Sequence, residues 1–178
     1  MIHLYHAAQS RSFRILWLLE ELGVPYRLTH MNFLDKSLRS PEFLALSPAG
    51  RVPALDLNGR VMFESGAIAE RLVEVFADHG LGRDAQDPER MEWLEWLHFA
   101  ETMGQHLAAL TQQHIVLRED WMRSPVLMKL EAQRLQKVLG VVAAAVERRA
   151  WLLDSGFSAV DCLVGYGVVL AERFVAGG

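Results

Sequence analysis

Val52-Pro53 stands at the entrance to an apolar run, Ala54 to Leu57, and Asn58-Gly59 separates that run from a second, Arg60 to Phe63. Proline has no N–H to give to a strand ladder, so it belongs at a strand start or an edge. An X-Pro bond there is also where a cis peptide is tolerated. Asn-Gly between two such runs is the strongest short hairpin signal. Together these residues predict a β-hairpin whose entrance turns the Val52 main chain outward, with its N–H and C=O unpaired. Such an edge accepts a short extended peptide as an added strand. Glu64 and Ser65 follow the hairpin and open a helical pattern through Phe76, with Ile68 and Leu72 on one face. A helix N-terminus attracts a carboxylate. A main-chain slot beside an anion socket points to a small acidic peptide as ligand.

Around this hairpin the first part of the chain alternates. Ile2 to His6 reads as a strand, and Ser10 to Leu22 as a helix with Phe13, Leu16, Leu19 and Leu22 at helical spacing. Gly23 suits the left-handed residue after a helix, and Pro25 prevents the helix from resuming. Tyr26 to Phe33 reads as a second strand, and Ser40-Pro41-Glu42 as a cap, first-turn proline and favourable acid opening a short helix through Leu46. The order β-α-β-α-β-β-α is that of a thioredoxin-like domain, an α/β unit expected over residues 1–77. The Gly- and Asp-rich stretch 78–87 reads as a linker. Residues 88–178 read as an all-helical bundle. Met91 to Leu117 forms one long helix, Ser124-Pro125 opens another, and Ser158-Ala159-Val160-Asp161 resembles a capping box before the last.

Composition narrows the function. A net charge of −4 argues against nucleic acid as the main partner. No apolar run is long enough to span a bilayer, and Met1 to His6 lacks the layout of a signal peptide. Cys162 is the one cysteine, so no internal disulfide forms, a reducing cytoplasm is expected, and no Cys-x-x-Cys supports disulfide exchange by the protein itself. His98, His106 and His114 recur every eight residues, which does not make a metal site, and no metal is expected.

The chain resembles the cytosolic glutathione transferases of the bacterial and fungal, serine-type kind, from residue 1 to its end. The residues that carry the resemblance are Ser10-Arg11-Ser12-Phe13-Arg14-Ile15-Leu16-Trp17-Leu18-Leu19-Glu20-Glu21-Leu22-Gly23, Pro48-Ala49-Gly50-Arg51-Val52-Pro53-Ala54-Leu55 and Glu64-Ser65. Trp96-Leu97-His98-Phe99-Ala100-Glu101 and Phe157-Ser158-Ala159-Val160-Asp161 add to it. The resemblance implies a thioredoxin-like N-terminal domain, a helical C-terminal domain, glutathione as co-substrate, a homodimer and a part in detoxification. Family members usually continue through further helices, so the end at Gly177-Gly178 is expected to be a shortened C-terminus.

What the resemblance implies for single residues follows from the chemistry of glutathione, which carries a thiol, two carboxylates and an amine. The thiolate is the nucleophile. Ser10, between the first strand and the first helix, is expected to donate its hydroxyl hydrogen bond to that thiolate. Ser12 is the rival donor, Tyr5 lies within the strand, and a plain helix cap is the competing reading of Ser10. Val52 would pair its main chain with the cysteinyl part, entered through Pro53. Ser65 and the first-turn N–H groups would hold the γ-glutamyl carboxylate, and Glu64 would face the amine. Arg51, Lys36 and Arg39 are candidates for the glycine carboxylate. Glu101 would reach across the dimer to the amine of the partner's glutathione, against a competing reading as a helix-surface charge. Gln105 and His106 would border the electrophile site, which Trp93, Trp96 and Phe99 would line unless they are core. The expected activity is conjugation of glutathione to a small apolar electrophile. A glutathione-dependent isomerase, peroxidase or dehalogenase, and a non-catalytic regulatory module, are the alternatives.

Overall fold

Strand β1 (Ile2–His6) is the centre of the first fold unit, because its Ile2, Leu4 and His6 side chains all point into buried space. It pairs in parallel with β2 (Tyr26–His30) and antiparallel with β3 (Ala54–Leu57), which pairs antiparallel with β4 (Arg60–Phe63). The sheet order is β2-β1-β3-β4. The hairpin turn is the expected one: Asn58 and Gly59 both have positive φ, 55° and 86°, as a two-residue turn between twisted strands requires. The computed structural model describes residues 1–175. It divides into two units, Met1–Gln86 and Asp87–Gly178.

Helix α1 (Ser12–Leu22) buries Ile15, Leu18, Leu19 and Leu22 and stops at Gly23, whose φ of 61° lets its N–H close back on the Glu20 carbonyl. The helix starts at Ser12 rather than Ser10, because residues 10 and 11 form the turn leading in. Strand β2 ends at His30 rather than running to Phe33. There the Asn32 N–H donates to Ser37 Oγ and the Leu34 N–H to Asn32 Oδ1, so side chains satisfy the backbone in place of a ladder. A 3-10 turn over Ser37–Arg39 precedes α2 (Pro41–Leu46), which Ser40 caps by accepting from the Phe43 N–H at 3.2 Å. Helix α3 is Ser65–Val75. Of the stretch read as a linker, residues 78–86 group with the first unit, and Arg83 is buried. A Cβ on Gly82 would stand 2.7 Å from Val73 Cγ2, and Arg83 donates to the Gly80 and Gly82 carbonyls.

The second unit is built on α4 (Arg90–Thr111), α5 (Pro125–Ala145) and α6 (Ala159–Val175). Its core takes Trp93, Trp96, Leu97, Met103 and Leu107 from α4, so the two tryptophans are core residues. Gly167 lets α6 approach α4, since a Cβ there would be 2.3 Å from Met103 Sδ. Helix α4 ends at Thr111 and continues as a π turn over Gln112–Val116, in place of one helix through Leu117. Asp161 accepts from the Ser158 N–H and hydroxyl with Oδ2, as a capping box does, and from the Leu152 N–H with Oδ1. Among the described residues, no helix is long and apolar enough to cross a membrane. The end at Gly177-Gly178 lies outside the described residues.

Candidate functional site

The sheet topology brings three connections to one place. Tyr5 near the end of β1 pairs with Ala54 at the start of β3, and Ala54 pairs with Phe63 at the end of β4. The turn after β1, the Val52-Pro53 entrance to β3 and the β4–α3 junction therefore all leave the same end of the sheet. Ala7, Leu38, Phe43, Val52 and Ala54 form one buried cluster beneath them.

At the first connection Gln9 has φ 60°, which turns the chain so that Ser10 follows it into the helix start. Ser10 is half-buried. Its Oγ accepts from the Ser12 N–H at 3.2 Å and lies 2.8 Å from the Ala7 carbonyl oxygen and 2.6 Å from Ser12 Oγ. Ser12 is fully buried. Its hydroxyl accepts from the Ala7 N–H and sits 2.8 Å from His6 Nδ1. Of the two hydroxyls, Ser10 is the one with exposed surface. His6, itself buried, has its pKa lowered, first by burial and then by the charge of His30, against a hydrogen bond with Ser12 that raises it.

At the second connection the Val52-Pro53 bond is cis. The Val52 side chain is in the core, and among the described residues none hydrogen-bonds to its N–H or C=O. Ser47 holds the chain just before it: its hydroxyl donates to the Arg51 carbonyl at 2.7 Å and accepts from the Arg51 N–H. Gly50 is required nearby, since its φ is 60° and a Cβ would meet the Leu38 carbonyl oxygen at 2.8 Å.

At the third, Glu64 is exposed and adopts φ 74°, ψ 111°, a conformation that costs a non-glycine residue of the order of 1–3 kcal/mol. Its side chain does not cap α3, so no side chain at that position takes the first-turn N–H groups. Ser65 is buried, and Arg14 Nη1 on α1 donates to its Oγ at 3.2 Å, which leaves the Ser65 proton to be given elsewhere. Arg14, His6 and Ser47 are parts of this region that sequence reasoning missed. A signal existed for Arg14: it is a charge at i, i+4, i+8 with Leu18 and Leu22 on the buried stripe. Arg51, Lys36 and Arg39 are exposed, with Lys36 at φ 64°. Glu101 is half-buried on α4 in the second unit. Among the described residues there is no group of three metal-ligating side chains.

The model of the glutathione S-transferase N-terminal domain matches residues 1–74. Glutathione S-transferase 3 of Schizosaccharomyces pombe is 37% identical over 101 residues, 57% of this chain and 41% of that protein. Disulfide-bond oxidoreductase YfcG of Escherichia coli is 29% identical over 178 residues, 90% of this chain and 76% of that one. In fold, the glutathione transferase URE2P6 of Phanerochaete chrysosporium, crystallised with oxidized glutathione, has a TM-score of 0.89 at 23% identity, covering 99% of this chain and 82% of that chain. The chain spans less than half the length of the first curated relatives, 41%, 45% and 38%. Residues 1–74 thus match the glutathione S-transferase N-terminal domain, and the described residues have the fold of solved glutathione transferases.

Proposed function

We propose that the first unit binds glutathione and that the protein transfers its thiolate to a small apolar electrophile. The observation that carries this reading is the meeting, at one end of the sheet, of a free Val52 main chain, an α3 N-terminus without a side-chain cap, and the Ser10 hydroxyl. Val52 N–H and C=O pair with the cysteinyl residue as an added strand. Ser65 and the first turn of α3 take the γ-glutamyl carboxylate, and Glu64 takes the amine. Arg51, with Lys36 and Arg39, supplies positive charge for the glycine carboxylate. Glu101 acts from the second unit of a partner protomer in a homodimer.

Ser10 then holds the sulfur. A hydrogen bond to a charged group is worth about 1.5–3 kcal/mol. At about 1.36 kcal/mol per pKa unit, one donor lowers the thiol pKa by about one to two units. Bound thiolate is followed by its ultraviolet absorbance against pH. Ser10→Ala is expected to raise the thiol pKa by that amount; an unchanged value removes Ser10 from the mechanism.

The alignment with a relative named a disulfide-bond oxidoreductase over 90% of this chain favours a second reading. Cys162 is buried, so thiols for such a reaction come from glutathione. Two glutathione molecules reduce a disulfide RSSR to two RSH and leave as oxidised glutathione. Assay with an aryl halide and with hydroxyethyl disulfide separates the two: turnover of the disulfide alone selects the second. Glutathione binding with turnover of neither selects a regulatory module.

A further inference from the structure

The Ser10 hydroxyl is the outer end of a chain of three side chains. Ser10 Oγ lies 2.6 Å from Ser12 Oγ, which lies 2.8 Å from His6 Nδ1. Ala7 encloses the chain: its N–H donates to Ser12 Oγ at 3.1 Å, and its carbonyl oxygen is 2.8 Å from Ser10 Oγ and 3.2 Å from Ser12 Oγ. A hydroxyl has one proton and two lone pairs, and a neutral imidazole has one N–H and one bare nitrogen. These limits couple the three groups.

With the ring proton on Nε2, Nδ1 is an acceptor and takes the Ser12 proton. Ser12 Oγ then accepts from Ala7 and from Ser10, and the Ser10 proton points inward. With the ring proton on Nδ1, Ser12 Oγ is filled by Ala7 and His6 and gives its own proton to Ser10 Oγ. The Ser10 proton is then left for an acceptor outside the chain, and a thiolate, being charged, is a stronger acceptor than the Ala7 carbonyl.

We propose that His6 is a positioning residue: its Nδ1, acting through the buried Ser12 hydroxyl, decides whether the Ser10 proton points at the bound sulfur. The proposal rests on Ser10 serving the thiolate. The lever is the ring tautomer rather than its charge. Burial and the charge of His30, whose ring centroid is 6.1 Å away on β2, both disfavour the imidazolium. His3 and Thr29 lie on the same strand pair but hydrogen-bond to each other.

The test measures the thiol pKa of bound glutathione in His6→Leu, Ser12→Ala, their double variant, His6→Asn and Ser10→Ala. An asparagine amide can occupy the place of Nδ1 and donate to Ser12 Oγ. The thiol pKa is expected to rise by about one unit in His6→Leu and in Ser12→Ala, with no further rise in the double variant. His6→Asn is expected to recover at least half of the shift. S-methylglutathione, which has no thiol proton, is expected to bind all of these within about threefold of wild type. If Ser10→Ala raises the thiol pKa but Ser12→Ala leaves it unchanged, the coupling is overturned while the role of Ser10 survives. If S-methylglutathione affinity falls as far as thiolate formation does, His6 is a structural residue only and the proposal fails. An unchanged thiol in Ser10→Ala removes the reading beneath it. Should His6→Leu not fold, Ser12→Ala and His6→Asn give the same decision.

Discussion

Arg14 shows how one residue ties local sequence to a site far from it in the chain. It is fully buried on α1, 51 residues from Ser65, and its guanidinium fixes the Ser65 hydroxyl at the start of α3. With Arg14 as donor, Ser65 Oγ is an acceptor on one side, and in the proposed function its proton goes to the γ-glutamyl carboxylate. Ser65→Ala removes both functions and leaves a buried Arg14 nitrogen without that acceptor. A lost bond to a charged group costs about 1.5–3 kcal/mol. The variant is expected to unfold at lower urea concentration, with a stability loss of this size. It is also expected to bind glutathione about tenfold more weakly, about 1.4 kcal/mol, by calorimetry. A variant with wild-type affinity places the carboxylate elsewhere. Glu64 is the complementary case: it carries an unfavourable φ at the start of α3, where a glycine would be relaxed. The place of Arg14 on the buried stripe is legible in the sequence, but its Ser65 partner and the φ of Glu64 are not. Each depends on where α1 and α3 meet.

Among the elements, starts and stops were the most legible part. Ser40 and Ser124 cap α2 and α5 with their side chains, each with proline in the first turn, and Gly23 ends α1. These are decided by atoms within a few residues, so sequence shows them. The end of α4 was not visible. Its apolar periodicity runs on past Thr111, and only the tertiary fold makes Gln112–Val116 a π turn, with Gln113 Oε1 accepting from the Ser124 N–H. Ser158-Ala159-Val160-Asp161 was legible as a cap for α6, but its second bond, to the Leu152 N–H, was not. Asp161 therefore serves two segments at once. Asp161→Ala loses a cap and strands two buried N–H groups, for a cost of about 2–4 kcal/mol. Denaturation followed by tryptophan fluorescence is expected to show this loss. A loss under about 0.5 kcal/mol would mean that water satisfies those groups.

At the scale of the whole molecule, two buried groups contribute to the response to acid, one in each unit. His6 has a folded pKa below its ordinary 6.5, so its contribution is present above that value and lost as pH falls through the folded pKa. Glu131 on α5 is held below its ordinary 4.5, chiefly by the His106 hydrogen bond at 2.7 Å and further by Arg134, against burial. Its contribution is present above 4.5 and lost as pH falls through its own folded value. Both therefore make the protein less stable in acid. The urea midpoint is expected to fall as pH drops from about 7 to below about 4. His6→Leu is expected to flatten the upper part of that fall and Glu131→Gln the lower part. Unchanged slopes in both variants would assign acid sensitivity to other groups.

The sequence by itself determined the local pieces: a hairpin at Asn58-Gly59, a proline entrance at Val52-Pro53, the capped helix starts and the change from mixed to all-helical structure. It did so because turns, caps and periodicity are satisfied by neighbours in the chain. Only the tertiary structure decided what those pieces meet. The strand order β2-β1-β3-β4 brings three distant connections to one end of the sheet, buries Ser12 against His6, and sets Arg14 beneath Ser65. A buried polar group must find its partner wherever the packed chain supplies one, and that partner is fixed by the folded geometry.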